Sequence, residues 1–397
     1  NISNFIMSNS FKTFLKHTAK DFHNQSVNPP VVRASTIIFK SMQDIRKMQN
    51  KAKKNPTGGH FDYGRQGTST THILQQILSK LEESYHTFLT PTGFGSVFLA
   101  IFSVTRPGDE IIVADPVYKP TRMLTQDFLK EFHIKTTFYD PHDLKTLEKS
   151  ITKKTKLIFV ENPGSNTFDF QDLGKIISIA KKNKILTAID NTWGTPYFFK
   201  PIKLGFDMSI VSATKYYSGH SDVMGGSLAV NKKVFKQVQI ADKVTGLRLG
   251  PDDAYLITRG LRTLDVRLDR HRENAKKIAG FLSKFKNIKL LYPYKKDSYN
   301  FRMWKKYYSG ASGLMGIKIK AKNEKSVIKF VNNLKLFGHG YSWGGFESLA
   351  LHQNLREQGN RSYLKLSKDE HLVRLHIGLE DPDDLIADIK QSMKHIK

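Results

Sequence analysis

The chain contains no cysteine. That absence excludes disulfides, thiolate zinc sites and a cysteine nucleophile, and it fits a reducing compartment. Long apolar runs are missing as well. The longest weakly polar stretch, about residues 93 to 104, is too short to span a bilayer, and the first twenty residues lack the continuous apolar core of a signal peptide. A soluble, cytoplasmic protein with no membrane partner is expected. Acidic residues are in deficit, 36 against 63 lysines and arginines, for a net charge of +27. Such a charge raises nucleic acid as a partner. The lysines are scattered in small groups, however, as at Lys51, Lys53 and Lys54 or Lys305 and Lys306, and no nucleic-acid motif accompanies them. The charge therefore reads as solvated faces, with no nucleic acid and no metal called for. What is present is ordinary globular material: 397 residues, 39% hydrophobic and 25% charged, without repeats, enough for two or three domains.

The segment "SIVSATKYYSGHSDVMGGS", Ser209 to Ser227, organises the rest. It reads as a short apolar strand through Ile210 and Val211, followed by Ser212, Thr214 and Lys215, and then by the glycines Gly219, Gly225 and Gly226 that let backbone approach another surface. An amine at a strand end beside two hydroxyls suits an imine-forming lysine next to a phosphate. A lone lysine is usually a solvated surface charge; the surroundings of Lys215 give it chemical meaning.

Residues 1 to about 66 show little pattern beyond a short helix near 41 to 53 and read as an arm. Its end, "GGHFDYGRQGT", places Tyr63 and Arg65 two residues apart, on one side if extended, where they could hold a phosphate. From Thr70, with Thr70 or Thr71 as cap, Ile73, Leu74, Ile77, Leu78 and Leu81 predict a helix. In "TPTGFGSVFLAI" no strand clearly precedes the glycines, and Phe98 occupies the place of a third glycine, so a dinucleotide fingerprint is rejected. A glycine turn opening a helix still makes an anion site, through the amides of Gly93 and Phe94.

Strands near 110–115, 135–140, 156–162 and 185–190 then alternate with helices near 120–131, 142–151 and 171–183, the signature of a mostly parallel sheet. Ligands bind beyond the carboxyl ends of such strands. Tyr118, Glu161 with its "NPGS" turn, Asp190 and Lys215 all fall there. A carboxylate at Asp190 would keep a pyridine nitrogen protonated, and Tyr118 could stack on the ring. Leu261, Leu264, Leu268, Ala275, Ile278 and Leu282 predict one long helix into a smaller α+β domain with strands near 314–320 and 372–378 and helices near 324–334 and 383–396. There "GYSWGGFES", 340 to 348, is a glycine-flexed loop carrying Trp343. Arg374 interrupts an apolar strand and needs an anion: a substrate carboxylate or a structural salt bridge.

Together, "FDYGRQGT", "AIDNTWG", "SATKYYSGHSD", "AYLITRGLRTLDVRL", "YSWGGFESL" and "VRLHIGLEDPDDLIADI" resemble the Cys/Met-metabolism family of pyridoxal phosphate (PLP) enzymes from roughly residue 30 onward. The resemblance implies an aspartate-aminotransferase-like fold of PLP fold-type I: an arm, 1–66, contacting a neighbouring subunit; a PLP-binding α/β domain, 67–261; and a C-terminal α+β domain, 262–397. It implies a homotetramer, a dimer of dimers with shared active sites. By motif position, Lys215 would carry the cofactor, Asp190 pair with its ring nitrogen and Tyr118 stack on it. Gly93, Phe94, Ser212 and Thr214 would hold the phosphate, with Tyr63 and Arg65 from the neighbouring subunit. Arg374, Ser342 and Trp343 would bind the substrate carboxylate, and Tyr255 would line the pocket. The "YSWGG" loop is the pattern of β-eliminating members, which implies cleavage of cystathionine to homocysteine, pyruvate and ammonia. In place of the asparagine common after the third strand, this chain has Ser165. The rival readings are an enzyme acting at the γ carbon, a broader cysteine-S-conjugate β-lyase, or a basic binding protein on the same fold.

Overall fold

The computed structural model describes residues 10–18, 25–355, 363 and 366–396; the stretches of the expected arm at 1–9 and 19–24 lie outside them. The architecture is α/β, as expected, with a mostly parallel sheet of seven strands and a smaller antiparallel sheet of four. The larger sheet comprises β1 (His86–Thr90), β2 (Glu110–Ala114), β3 (Lys135–Tyr139), β4 (Thr155–Glu161), β5 (Leu186–Asp190), β6 (Met208–Ser212) and β7 (Gly226–Val230). The smaller has β8 (Ile288–Leu291), β9 (Leu314–Lys320), β10 (Leu349–Gln353) and β11 (Glu370–His376). Five helices matter below: α1 (Ser69–Glu82), α2 (Gly93–Val104), α3 (Pro251–Leu261), α4 (Leu264–Leu282) and α5 (Pro382–Ser392). The chain groups into two compact units, one of Asn1–Val104, Lys200–Ser218 and Asp222–Asp265, the other of Thr105–Phe199, Gly219–Ser221 and Val266–Lys397.

In the first unit β7 runs antiparallel to both β1 and β6. Neither β1 nor β7 is apparent from the sequence. The run His-Thr-Phe-Leu-Thr looks half polar, yet all five residues are buried. Burial is tolerable because the hydroxyls are bonded: Thr87 Oγ1 lies 3.1 Å from Ser79 Oγ, and Thr90 Oγ1 donates to the Thr92 carbonyl at 2.8 Å. Helix α1 starts at Ser69, slightly earlier than its apolar periodicity suggests, because Thr71 Oγ1 accepts the Thr68 N–H at 2.9 Å and donates to the Thr68 carbonyl at 3.0 Å, securing the first turn. Its Leu74, Ile77, Leu78 and Leu81 are buried as predicted. The helix expected to run unbroken through residues 261 to 282 is interrupted. The Thr263 N–H and hydroxyl both turn back to the Gly260 carbonyl, at 3.1 and 3.2 Å, closing α3 before α4 begins.

In the second unit β5, β4, β2 and β3 are parallel neighbours in that order. Ile111 to Ala114 and Leu157 to Val160 are buried without interruption, as strands covered on both faces require. The helix expected near 120–131 forms from Lys119 with a π-helical stretch at Leu124–Phe128. The C-terminal sheet, in order β10-β11-β9-β8, packs through Met315, Ile317, Val373 and Leu375 against Ile278, Phe330, Leu385 and Ile389. Asp381 caps α5 by accepting the Asp383 N–H at 2.8 Å, with Pro382 in the first turn, as read from the sequence. No helix among the described residues is long and apolar enough to cross a membrane.

Candidate cofactor and substrate site

The first unit builds an anion cradle. Thr92 Oγ1 accepts the Gly95 N–H at 2.9 Å and so caps the third residue of α2, leaving the Gly93 and Phe94 amides without a hydrogen-bond acceptor among the described residues. Those amides carry the positive end of a helix dipole. Ser212, at the end of β6, lies directly against them: a Cβ on Gly93 would stand 2.4 Å from Ser212 Oγ. Only glycine permits this approach. Gly226 serves the same purpose on the neighbouring strand, where a Cβ would come within 2.4 Å of the Thr92 carbonyl. Two open amides beside a hydroxyl, in a space closed to any side chain at position 93, fit the phosphate end of PLP.

Beyond Ser212 the backbone turns. The Lys215 N–H donates to the Ser212 carbonyl at 3.1 Å, and Ala213, Tyr216 and Tyr217 are buried while Ser212, Thr214 and Lys215 are half-buried. The two hydroxyls and the amine are thus the partly accessible side chains of an otherwise packed turn. Thr214 Oγ1 is already engaged, donating to the Gly225 carbonyl at 3.2 Å and accepting the Gly225 N–H at 3.0 Å. It holds the turn as built, and a phosphate contact would need its proton to rotate away from the Gly225 carbonyl. Tyr63 and Arg65 do come together, though Arg65 stands in a 3-10 turn rather than an extended run; its guanidinium is 5.7 Å from the Tyr63 ring and donates to the Lys243 carbonyl at 3.0 Å. Both are exposed. Tyr255 is half-buried on α3.

The second unit gathers the other candidates. Glu161 and Asp190 are register partners at the ends of β4 and β5. Glu161 Oε2 accepts the Tyr118 N–H at 2.6 Å, fixing the tyrosine at the start of its helix with the ring half-exposed. Burial raises the Tyr118 phenol above its ordinary pKa, Glu161 and Asp190 reinforce the shift, and Arg374 opposes it. Tyr118 thus feels Asp190 and Arg374 at once. Asp190 Oδ1 accepts the Thr192 N–H at 2.9 Å. Arg374 sits on β11 between Gly316 on β9 and Leu351 on β10, and no carboxylate among the described residues pairs with it. Its guanidinium donates to the Ser342 carbonyl at 2.9 Å, and burial lowers its pKa to about 10. Of the two readings open from the sequence, the structural salt bridge finds no acid among the described residues.

Several further residues support the site. Asn162 faces inward, with Nδ2 donating to Tyr308 Oη at 2.9 Å and Oδ1 accepting the Gln171 N–H at 2.8 Å. Ser165 is tied through its N–H to the Pro116 carbonyl at 2.6 Å. Asp115 and Arg122 form a buried ion pair at 3.1 Å below the Tyr118 turn. A spacing of seven residues carries no pattern that would have revealed it. Among the described residues no cluster of three metal-ligating side chains occurs.

Comparison with known proteins identifies the family. The chain is 35% identical over 385 residues to the cystathionine beta-lyase of Haemophilus influenzae, covering 95% of this chain and 96% of that protein. It is 34% identical to the L-alanine/L-glutamate racemase of Wolbachia pipientis, covering 94% and 93%. In three dimensions it matches the crystal structure of metB from Corynebacterium glutamicum with a TM-score of 0.89 and 29% identity, covering 99% of this chain and all of that one. The family profile described as "Cys/Met metabolism PLP-dependent enzyme" matches residues 12–394. With the fold and the profile in accord along nearly the whole chain, this protein belongs to the Cys/Met metabolism PLP-dependent enzyme family.

Proposed function

We propose that this PLP-dependent carbon–sulfur lyase is a cystathionine β-lyase, cleaving cystathionine to homocysteine, pyruvate and ammonia. The observation that carries the reading is Arg374: a half-buried cation with no acidic partner among the described residues, bonded to the Ser342 carbonyl beside Trp343. A free α-carboxylate is the anion that such a guanidinium suits. Bound PLP supplies an electron sink that acidifies the Cα proton of an amino acid joined to it. The chain's own residues do the rest. Lys215 Nζ would carry the cofactor and then take the Cα proton; Asp190 would hold a proton on the ring nitrogen. Gly93, Phe94, Ser212 and Thr214 would bind the phosphate, with Tyr63 and Arg65 reaching it from a neighbouring subunit of a homotetramer. Tyr118, its phenol pKa raised by burial, would stack on the ring, and Lys215 or Tyr118 would protonate the departing sulfur. Tyr255 and Trp343 would bound the substrate side chain. In this reading the arm is 1–66, the cofactor domain 67–261 and the C-terminal domain 262–397, and the enzyme works in the cytoplasm.

Pyruvate from cystathionine, measured with purified PLP-loaded protein, tests the reading, and 2-oxobutyrate would mean attack at the γ carbon instead. The racemase relative favours a second reading. Racemisation shares the Cα proton removal and differs in returning a proton to carbon rather than to sulfur. Conversion of L-alanine to D-alanine without pyruvate from cystathionine would select it.

A further inference from the structure

We infer that His376 is a positioning residue for the substrate loop, setting where Ser342 and Trp343 stand; the consequence for substrate rests on the functional reading above. Residues two apart on a strand face the same way, so Arg374 and His376 project from one side of β11. Arg374 Nη2 holds the Ser342 carbonyl at 2.9 Å, while His376 Nε2 lies 3.1 Å from the Gly344 N and 3.1 Å from the Gly345 carbonyl. Trp343 stands between these tethers. A neutral imidazole serves either contact according to its tautomer: a bare Nε2 accepts the Gly344 N–H, and a protonated one donates to the Gly345 carbonyl.

The loop needs holding. Ser342 has φ 76° and Gly344 φ 90°, left-handed conformations that strain a serine and persist only where the surroundings impose them. Past Gly345 the chain is anchored separately: Ser348 donates to Glu380 through its N–H at 2.7 Å and its hydroxyl at 2.9 Å, and Ser221 Oγ donates to Glu347 Oε1 at 2.6 Å. The His376 ring itself cannot swing away. It is 1% exposed, and behind it the fully buried His271 ring lies 5.2 Å away, with Nδ1 2.7 Å from the Ile377 carbonyl. Gly313 packs against that second ring, where a Cβ would come within 3.1 Å of Nδ1. A rigid stack thus runs from α4 through His271 and His376 to the Gly344–Gly345 backbone, and it fixes the reach from Arg374 to Trp343.

The test compares His376→Leu, which keeps much of the volume but loses both contacts, with His376→Gln, whose amide can reach the Nε2 position. Hydrogen exchange is followed in the PLP-loaded protein by mass spectrometry. In His376→Leu, exchange in peptides spanning residues 342–347 should rise about tenfold and KM for cystathionine should rise about tenfold, with kcat and the cofactor absorbance kept. His376→Gln should recover most of both. Unchanged loop exchange overturns the inference, and so does faster exchange spread through β9 and β11, which would mark a role in the fold at large. A wild-type protein that forms no pyruvate sinks the functional reading alone, because the exchange comparison still decides the role of His376.

Discussion

Replacing Arg374 by leucine separates substrate binding from cofactor binding. Burial lowers the guanidinium pKa to about 10, so desolvation penalises the cation held without an anion. An arriving α-carboxylate relieves that cost and adds charge-assisted hydrogen bonds of about 1.5–3 kcal/mol. The leucine variant forfeits this gain but also escapes the cost in the free protein. The net effect expected is a KM raised by roughly a hundredfold, about 2.7 kcal/mol. Thermal stability should be unchanged or slightly higher, since a half-buried charge with no acid among the described residues has gone. Arg374→Lys keeps a charge and loses the fork, and should fall between the two. The assays are pyruvate release against cystathionine concentration, the visible cofactor band and a melting curve. A KM within twofold of wild type refutes the reasoning, and so does a lost cofactor band, which would make the arginine a support of the fold.

Other outcomes follow from the same geometry. Lys215→Ala should abolish the visible absorbance that wild type shows after PLP incubation; a colourless wild type would instead support a binding protein on this fold. Gly93→Ala would place a methyl 2.4 Å from Ser212 Oγ and 2.5 Å from its Cβ, overpacking of about 1–3 kcal/mol, so PLP titration should show roughly ten- to hundredfold weaker binding. Adding Ser212→Ala should not rescue it, because the Cβ clash persists. Glu82 is fully buried on α1, and burial pushes its carboxyl up to about 8 against the pull of Ser209, Lys200 and Tyr217. A raised folded-state pKa means its contribution is fully present below about 4.5 and is lost as pH rises through about 8. Melting curves from pH 4.5 to 8 should therefore show Glu82→Gln level with wild type at the acid end and increasingly more stable toward pH 8; a constant gap would refute the assignment.

Much of the larger sheet could be read directly, because β2, β4 and β5 are continuous apolar runs between amphipathic helices. β1 and β7 could not. Their polar residues look wrong for a core until Ser79, Thr92 and Ser96 are seen to satisfy or accommodate them. The break between α3 and α4 was hidden for a related reason: apolar spacing persists across it, and only the turn back to Gly260 stops the helix.

Local chemistry was enough to single out Lys215, Asp190, Tyr118 and Arg374, since an amine, a carboxylate, a phenol or an inward guanidinium at a strand end or within an apolar strand is conspicuous in one dimension. Order and spacing of motifs sufficed for the family. What the chain could not disclose linearly is which polar groups find partners. That Arg374 lacks an acid among the described residues, that Ser212 abuts Gly93, and that His376 reaches Gly344 and Gly345 are all consequences of strand register and close packing between residues far apart in the chain. Hydrogen bonds and steric contacts act over a few ångströms of space, and only folding sets those distances.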